Sequence, residues 1–222
     1  MDWKKIEQET GYKILFASLC GSRSFKINRE DSDYDYVAYI LLKDGQVAPS
    51  RRANHFPGAG VGDVFFQVLS PNIALWAHTW VIASYDNIVY ADERFTKFLE
   101  ANKRELVNIC PHSTLKTCRD FVSKRCHTNN IKIIALAVRE AAILHNFMQK
   151  GDFNQSVYLD GEYLSMYNRI RIKREKVEKI EILRLLSWID SEETFQFFQS
   201  FPTNHELFER LCKMLEEIQR AI

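Results

Sequence analysis

Four acids crowd into six residues of this chain, Glu30, Asp31, Asp33 and Asp35, with no base among them. A turn in open water tolerates such a group, but Asp33 and Asp35 lead into the apolar run Tyr34 to Leu42 (YDYVAYILL), which reads as a strand. Side chains alternate along a strand, so Asp33 and Asp35 are expected on one face, with Tyr34 and Tyr36 on the other. Paired carboxylates repel unless a cation compensates them, and two hard-oxygen donors suit Mg²⁺ (or Mn²⁺). Upstream, Gly21-Ser22 ends the buried run Tyr12 to Cys20 (YKILFASLC). A glycine there lets backbone approach a phosphate closely. The Ser22 hydroxyl and the following N–H groups can donate to phosphate oxygens, and Arg23 adds a charge-assisted partner. Asp63 heads a third apolar run (GDVFFQVL, 62–69) and is the candidate third carboxylate. Together these residues predict a site for a metal-bound polyphosphate.

The order is strand, Gly-Ser, ten residues, Asp-Tyr-Asp, strand. It resembles the signature of the DNA polymerase β-like nucleotidyltransferase superfamily. More narrowly, GSRSFKINREDSDYDYVAYI is similar to the GSRAYG…DSDYD segment of stand-alone nucleotidyltransferases of bacteria and large phages, some of them encoded beside RNA ligases and associated with RNA repair (RlaP-type). The likeness extends through Asn87 to Tyr90, Asp92 to Phe95, Lys132 to Arg139, Gln149 to Gly151 and Arg169 to Arg171. Ser24-Phe25-Lys26 replaces that family's small-aromatic-Gly, and the segment between Asp63 and Asn87 lacks its Asn-Pro and Glu features. The resemblance implies catalytic and metal-binding roles for Asp33, Asp35 and Asp63, and a nucleotide site at Gly21, Ser22, Arg23 and Arg139. It implies transfer of an NMP from an NTP, ATP among them, to a hydroxyl such as an RNA 3′ end or a tRNA.

The elements that must position these residues form an α+β chain. A short helix over Asp2 to Thr10, closed by Gly11, precedes three strands at 12–20, 34–42 and 62–69. Helices are expected over 72–84, 92–107, 113–126, 128–150, 160–170, 173–189 and 203–221. The division predicted is a nucleotidyltransferase domain at 1–112, a small mixed sheet with flanking helices, and an all-helical domain at 113–222. Residues 46–61 read as a long loop in which Arg51, Arg52 and His55 form a solvated basic segment or, as the lesser reading, close over a triphosphate. Adjacent residues on a helix diverge, so a pair between Arg139 and Glu140 is disfavoured, and Arg139 is expected either to reach the nucleotide cleft, the reading favoured, or to snorkel to solvent. Trp76, Trp80, Phe147 and Phe201 read as packing residues. Arg169, Arg171, Lys173 and Arg174 are candidates to grip a nucleic-acid backbone, against a solvated helix face interleaved with Glu175 and Glu178.

Composition excludes several other classes. Thirty Lys and Arg against 29 Asp and Glu leave no polybasic or acidic tail as the main activity. Residues 113–184 nevertheless hold 14 bases and 8 acids, a surplus of six, while 1–112 carry a charge of −1 and 185–222 of −4. Eight Gly and five Pro exclude low-complexity sequence. No apolar run reaches membrane-spanning length and acids occupy the N-terminus, so a cytoplasmic protein with no membrane partner is expected. The five cysteines are odd in number and form no CxxC, which argues against a disulfide framework. Cys110, His112, Cys118, Cys126 and His127 fit no standard zinc spacing, and the cysteines read as buried or surface thiols. Two rivals to nucleotidyl transfer are a catalytically silent nucleotide- or RNA-binding module of the same fold and a glycosyltransferase using Asp33-Tyr34-Asp35. The latter needs a longer nucleotide-binding half than the 32 residues that precede the motif.

Overall fold

The structure is a computed structural model, describing residues 1–30, 32–48, 63–69, 87–102, 119–122, 124–150, 159–200 and 204–222. The chain is α+β, with a four-stranded mixed sheet near the N-terminus followed by a largely helical C-terminal region. It divides into two compact units, Met1–Leu106 together with Asn204–Ile222, and Val107–Thr203.

In the first unit, α1 (Trp3–Thr10) begins where the Asp2 carboxylate accepts the Lys5 N–H at 3.1 Å. It stops at Gly11, whose φ of +70° is the left-handed cap that the sequence predicts. Strands β1 (Lys13–Cys20), β2 (Asp35–Leu41), β3 (Val64–Val68) and β4 (Ile88–Ala91) follow, β4 leading into α3 (Glu93–Asn102). Their spatial order is β3-β2-β1-β4, with β1 antiparallel to both β2 and β4, and β2 parallel to β3.

Both faces of the sheet are apolar, as the continuous runs foretell. On one face Trp3 and Ile6 of α1 pack with Ile14, Ala17, Ala38, Ile40, Val64 and Phe66. The Trp3 ring stands edge-on to Tyr36 and stacks on Tyr90. Glu7 fastens α1 down, its carboxylate accepting the Ile14 N–H at 2.8 Å and the Tyr90 hydroxyl at 3.1 Å. On the other face Phe16 is stacked between Tyr39 and Phe95 of α3.

Within the described residues, the second unit contains α4 (Ile131–Lys150), α5 (Gly161–Tyr167) continuing into a π-helical turn (Asn168–Ile172), α6 (Lys179–Leu186) with a 3₁₀ turn (Ser187–Asp190), and α7 (Glu192–Gln199). Ala137, Val138, Ala141, Ala142, Ile143, Leu144 and Phe147 are all buried, so α4 is apolar round more than one stripe and is enclosed by its neighbours.

The last helix, α8 (His205–Arg220), counts with the sheet unit and not with the helical domain expected for all of 113–222. Leu207, Leu211, Leu215 and Ile218 form its buried stripe, α8 contacts α3, and the Gln219 side-chain amide donates to the Leu42 carbonyl at 3.1 Å. The expected helix 72–84 lies outside the described residues. No helix among the described residues is long and apolar enough to cross a membrane.

Candidate functional site

Strand register assembles the predicted carboxylate end of the sheet. Cys20, the last residue of β1, pairs with Asp35, the first of β2. The chain then turns through a single helical turn, α2 (Gly21–Ser24). Gly21 has φ +72°, and a Cβ placed there would lie 3.3 Å from Asp35 Oδ2. On the other side of β2 the parallel register sets Tyr36 beside Val64. The Tyr36 N–H donates to the Asp63 carbonyl at 2.8 Å, and the Asp63 N–H donates to Asp35 Oδ1 at 3.3 Å. Asp35 and Asp63 are thus neighbours at one end of the sheet, and strand alternation sets both on the face that holds Tyr39.

Asp33 shares this end differently from the expectation. The strand opens at Asp35 and not at Tyr34, so Asp33 precedes it and is exposed. The reason is Arg23. Its Nε and Nη2 donate to the Ser32 carbonyl at 2.9 and 2.6 Å, and Nη2 also reaches the Glu30 carbonyl at 3.3 Å. The guanidinium lies 3.7 Å over the Tyr34 ring. Arg23, predicted as a phosphate ligand, here fixes the loop that bears Asp33. Tyr36 packs against Trp3, and burial raises its hydroxyl above the ordinary phenol range, with Tyr34 adding to the rise and Arg23 opposing it.

The Gly-Ser turn is braced from within and from β4. The Ser22 carbonyl accepts the N–H groups of Phe25 and Ile27, and Ser24 Oγ donates to the Gly21 carbonyl at 2.9 Å. The Asn87 side chain donates to the Ser24 carbonyl at 3.2 Å, and Ser18 Oγ to the Asn87 carbonyl at 3.3 Å. Sequence reasoning singled out neither the β4 strand nor this role for Asn87. The Ile88-Val89-Tyr90 run is the signal that could have found the strand. Lys26 adopts φ +55°, a backbone conformation that glycine takes without cost.

Oxygen donors at the end of a sheet suit Mg²⁺ in kind, and one oxygen of Asp35 faces the space that Gly21 leaves open. Among the described residues, however, no three His, Cys, Asp or Glu side chains stand together as a metal-holding group. Asp33, Asp35 and Asp63 therefore share a sheet end without closing into a three-carboxylate cage. That is compatible with Mg²⁺, which is commonly held by one or two carboxylates and completed by substrate phosphates.

The remaining predicted residues lie in the second unit or outside the described residues. Arg139 does pair with Glu140, correcting the expectation that helix neighbours diverge too far: Nη2 reaches Oε1 at 3.1 Å. Both side chains are largely buried, at 13% and 4% exposure, and a long guanidinium stem can bend back to a buried carboxylate. Burial raises the Glu140 carboxyl above its ordinary range, while Arg139 and then Arg125 pull it down. Arg169 donates to Glu175 at 3.0 Å and to Glu181 at 2.8 Å, Lys173 lies 3.7 Å from Glu175, and Arg171 bonds the Tyr167 hydroxyl. Arg174 has no such carboxylate partner among the described residues.

A cavity of about 850 Å³ opens between His145, Tyr163, Arg169 and Trp188. His145 pairs with Gln149 and Arg169 with its two glutamates, while the buried Trp188 Nε1 has no hydrogen-bond partner of good geometry among the described residues. Of the cysteine and histidine group, Cys126 is buried and His127 exposed, while Cys110, His112 and Cys118 lie outside the described residues. So do Arg51, Arg52, His55, Trp76, Trp80 and Phe201. Compared with family models and with curated proteins, the chain matches none.

Proposed function

We propose that this protein is a metal-dependent nucleotidyltransferase that moves an NMP from an NTP to a hydroxyl acceptor, with pyrophosphate leaving. The observation that supports this best is the meeting of the Gly21 turn with Asp35 and Asp63 at one end of the sheet, where Asp35 Oδ2 borders the space above a glycine. Ser22 and the N–H groups of its turn bind the β- and γ-phosphates. Asp33 and Asp35, with Asp63 beside Asp35, would hold Mg²⁺. When bound, the metal neutralises phosphate charge and makes the acceptor hydroxyl more acidic. The acceptor oxygen bonds to the α-phosphorus as the bond from that phosphorus to the bridging oxygen breaks. Pyrophosphate carries away the electron pair, and the hydroxyl proton passes to a neighbouring carboxylate or water.

This chemistry is positioning and charge stabilisation, so it needs no catalytic His or Cys. Arg23 acts as a positioning residue, holding the Asp33 loop through Ser32 and Glu30. The acceptor class consistent with the resemblance is an RNA 3′ end or a tRNA.

A second reading is a catalytically silent nucleotide-binding module of the same fold, favoured by the absence of a closed three-carboxylate group among the described residues. The test offers each α-labelled NTP, with Mg²⁺ or Mn²⁺, to total RNA and to protein, using wild type, Asp33→Ala and Asp35→Ala. Label transferred by wild type and lost in both variants is expected. Mg·NTP binding without transfer selects the silent module. Binding that is equally weak in all three proteins overturns both readings.

A further inference from the structure

We propose that the chain following the π-helical turn forms, with a cavity beneath it, a site for one nucleotide of a single-stranded nucleic acid. The cavity, of about 370 Å³, is walled by Ile134, Ile170 and Ile182 and rimmed by Arg174, Lys176 and Lys179. Three features of this segment converge.

First, the basic run is not uniform. Arg169 is taken up by Glu175 and Glu181 at 3.0 and 2.8 Å, Lys173 lies 3.7 Å from Glu175 at the surface, and Arg171 bonds the neutral Tyr167 hydroxyl. Lys176 lies 3.7 Å from Glu178 with both side chains strongly exposed, which leaves its charge available. Arg174 and Lys179 have no carboxylate partner among the described residues. Three cations whose charge is not spent on a close carboxylate, Arg174, Lys176 and Lys179, therefore rim the cavity, and the carboxylate that also lines it, Glu175, is engaged by Arg169.

Second, Arg174 has φ +54°, uncommon for a residue with a side chain. Hydrogen bonds on both sides fix it there, from the Lys173 N–H to the Asn168 carbonyl and from the Glu175 N–H to the Arg169 carbonyl, both 2.9 Å. Third, the carbonyls of Asn168 and Arg169 belong to a π-helical turn, an irregularity frequent at functional sites.

An apolar cavity under a cationic rim takes an anion with an apolar or planar body. The volume is at the low end for small-ligand sites, which suits one nucleotide better than a long acyl chain. Thr128 and Asn129 also line the cavity, giving hydrogen-bonding groups that a base edge uses and a hydrocarbon does not. The phosphate falls to Arg174 and Lys179, and neighbouring phosphates of the strand to Lys176. The binding stands on this unit alone; its role as the acceptor site rests on the nucleotidyl-transfer reading.

The test titrates the full chain into fluorescein-labelled oligouridylate at two salt concentrations, and separately into vesicles of phosphatidylcholine and phosphatidylserine. Arg174→Gly is the informative variant, because glycine accepts the left-handed backbone while the charge is removed. Lys179→Gln tests the second cation, and thermal melting checks that both fold. Each variant is expected to weaken oligouridylate binding about tenfold and to lower the salt slope by about one. Arg174→Lys is expected to keep most of the affinity. Equal oligouridylate binding by wild type, Arg174→Gly and Lys179→Gln overturns the proposal, as does binding to vesicles with none to the oligonucleotide. Charge-dependent oligouridylate binding without label transfer sinks the nucleotidyl-transfer reading and leaves this site standing. Label transfer with unchanged binding in the variants does the reverse.

Discussion

Gly21 meets two demands at once, a backbone φ of +72° and a carboxylate oxygen 3.3 Å from where its Cβ would be. Gly21→Ala should cost roughly 1–2 kcal/mol from the left-handed conformation alone, read as a lower midpoint in urea unfolding, and should push Asp35 by a few tenths of an ångström, weakening Mg·NTP binding. An unchanged midpoint would mean that the turn relaxes to another conformation. Arg23 holds its loop through two carbonyls and one ring. Arg23→Ala should let trypsin cut after Lys26 or Arg29 faster, and Arg23→Lys should not restore protection, because an ammonium cannot reproduce the planar fork or stack as well. Equal cleavage rates in wild type and Arg23→Ala would rule out the clamp. At this scale the sequence was readable where chemistry is local. Gly21, Ser22, Asp35 and Asp63 lie where strand ends and alternation predict. Arg23 was not readable as a clamp, because its acceptors are backbone carbonyls and these leave no mark in side-chain type.

At the scale of elements, hydrophobic runs predicted β1, β2, β3 and α1 to within a residue or two. The four-residue β4 was missed, because so short a run carries little periodic signal. The π-helical turn was also unreadable, since a one-residue change in hydrogen-bond register does not alter an apolar pattern. The Arg139–Glu140 pair shows the same limit within α4: both side chains are buried, and the spacing of adjacent residues does not show burial. Burial raises the Glu140 carboxyl in the folded state, so the folded protein holds that proton more readily than the unfolded chain. This contribution to stability is fully present below the ordinary carboxylate range. It falls as pH rises through that range and is gone above the raised folded value. Glu140→Gln cannot ionise, so its stability relative to wild type should climb as pH rises from the ordinary carboxylate range. Urea unfolding of both proteins at stepped pH measures this, and a difference independent of pH would contradict it.

For the whole molecule, the formal charge of +1 divides by unit. Residues 1–106 with 204–222 hold 16 bases and 18 acids, and residues 107–203 hold 14 bases and 11 acids. The acidic sheet unit and the basic helical unit thus match in sign the metal site and the nucleic-acid site proposed for them. What the sequence could not reveal is that the chain returns at its end to the first unit. The stripe Leu207, Leu211, Leu215 and Ile218 is plain in the sequence of α8, but periodicity says only that a helix has an apolar face and not which partner covers it. Burying four aliphatic side chains is worth about 1.5–3 kcal/mol each, and the sum is comparable with the whole stability of a domain, about 5–15 kcal/mol. A chain ending at residue 203 should therefore lose the folded sheet unit although it keeps every residue of the carboxylate site. Near-ultraviolet circular dichroism reads this directly, because Trp3, Tyr90, Phe16, Tyr39 and Phe95 are held in fixed ring contacts in that unit. Loss of that signal on truncation is the expected result. A truncated chain with the full-length near-ultraviolet spectrum and melting transition would show that α8 is dispensable to the unit it packs on.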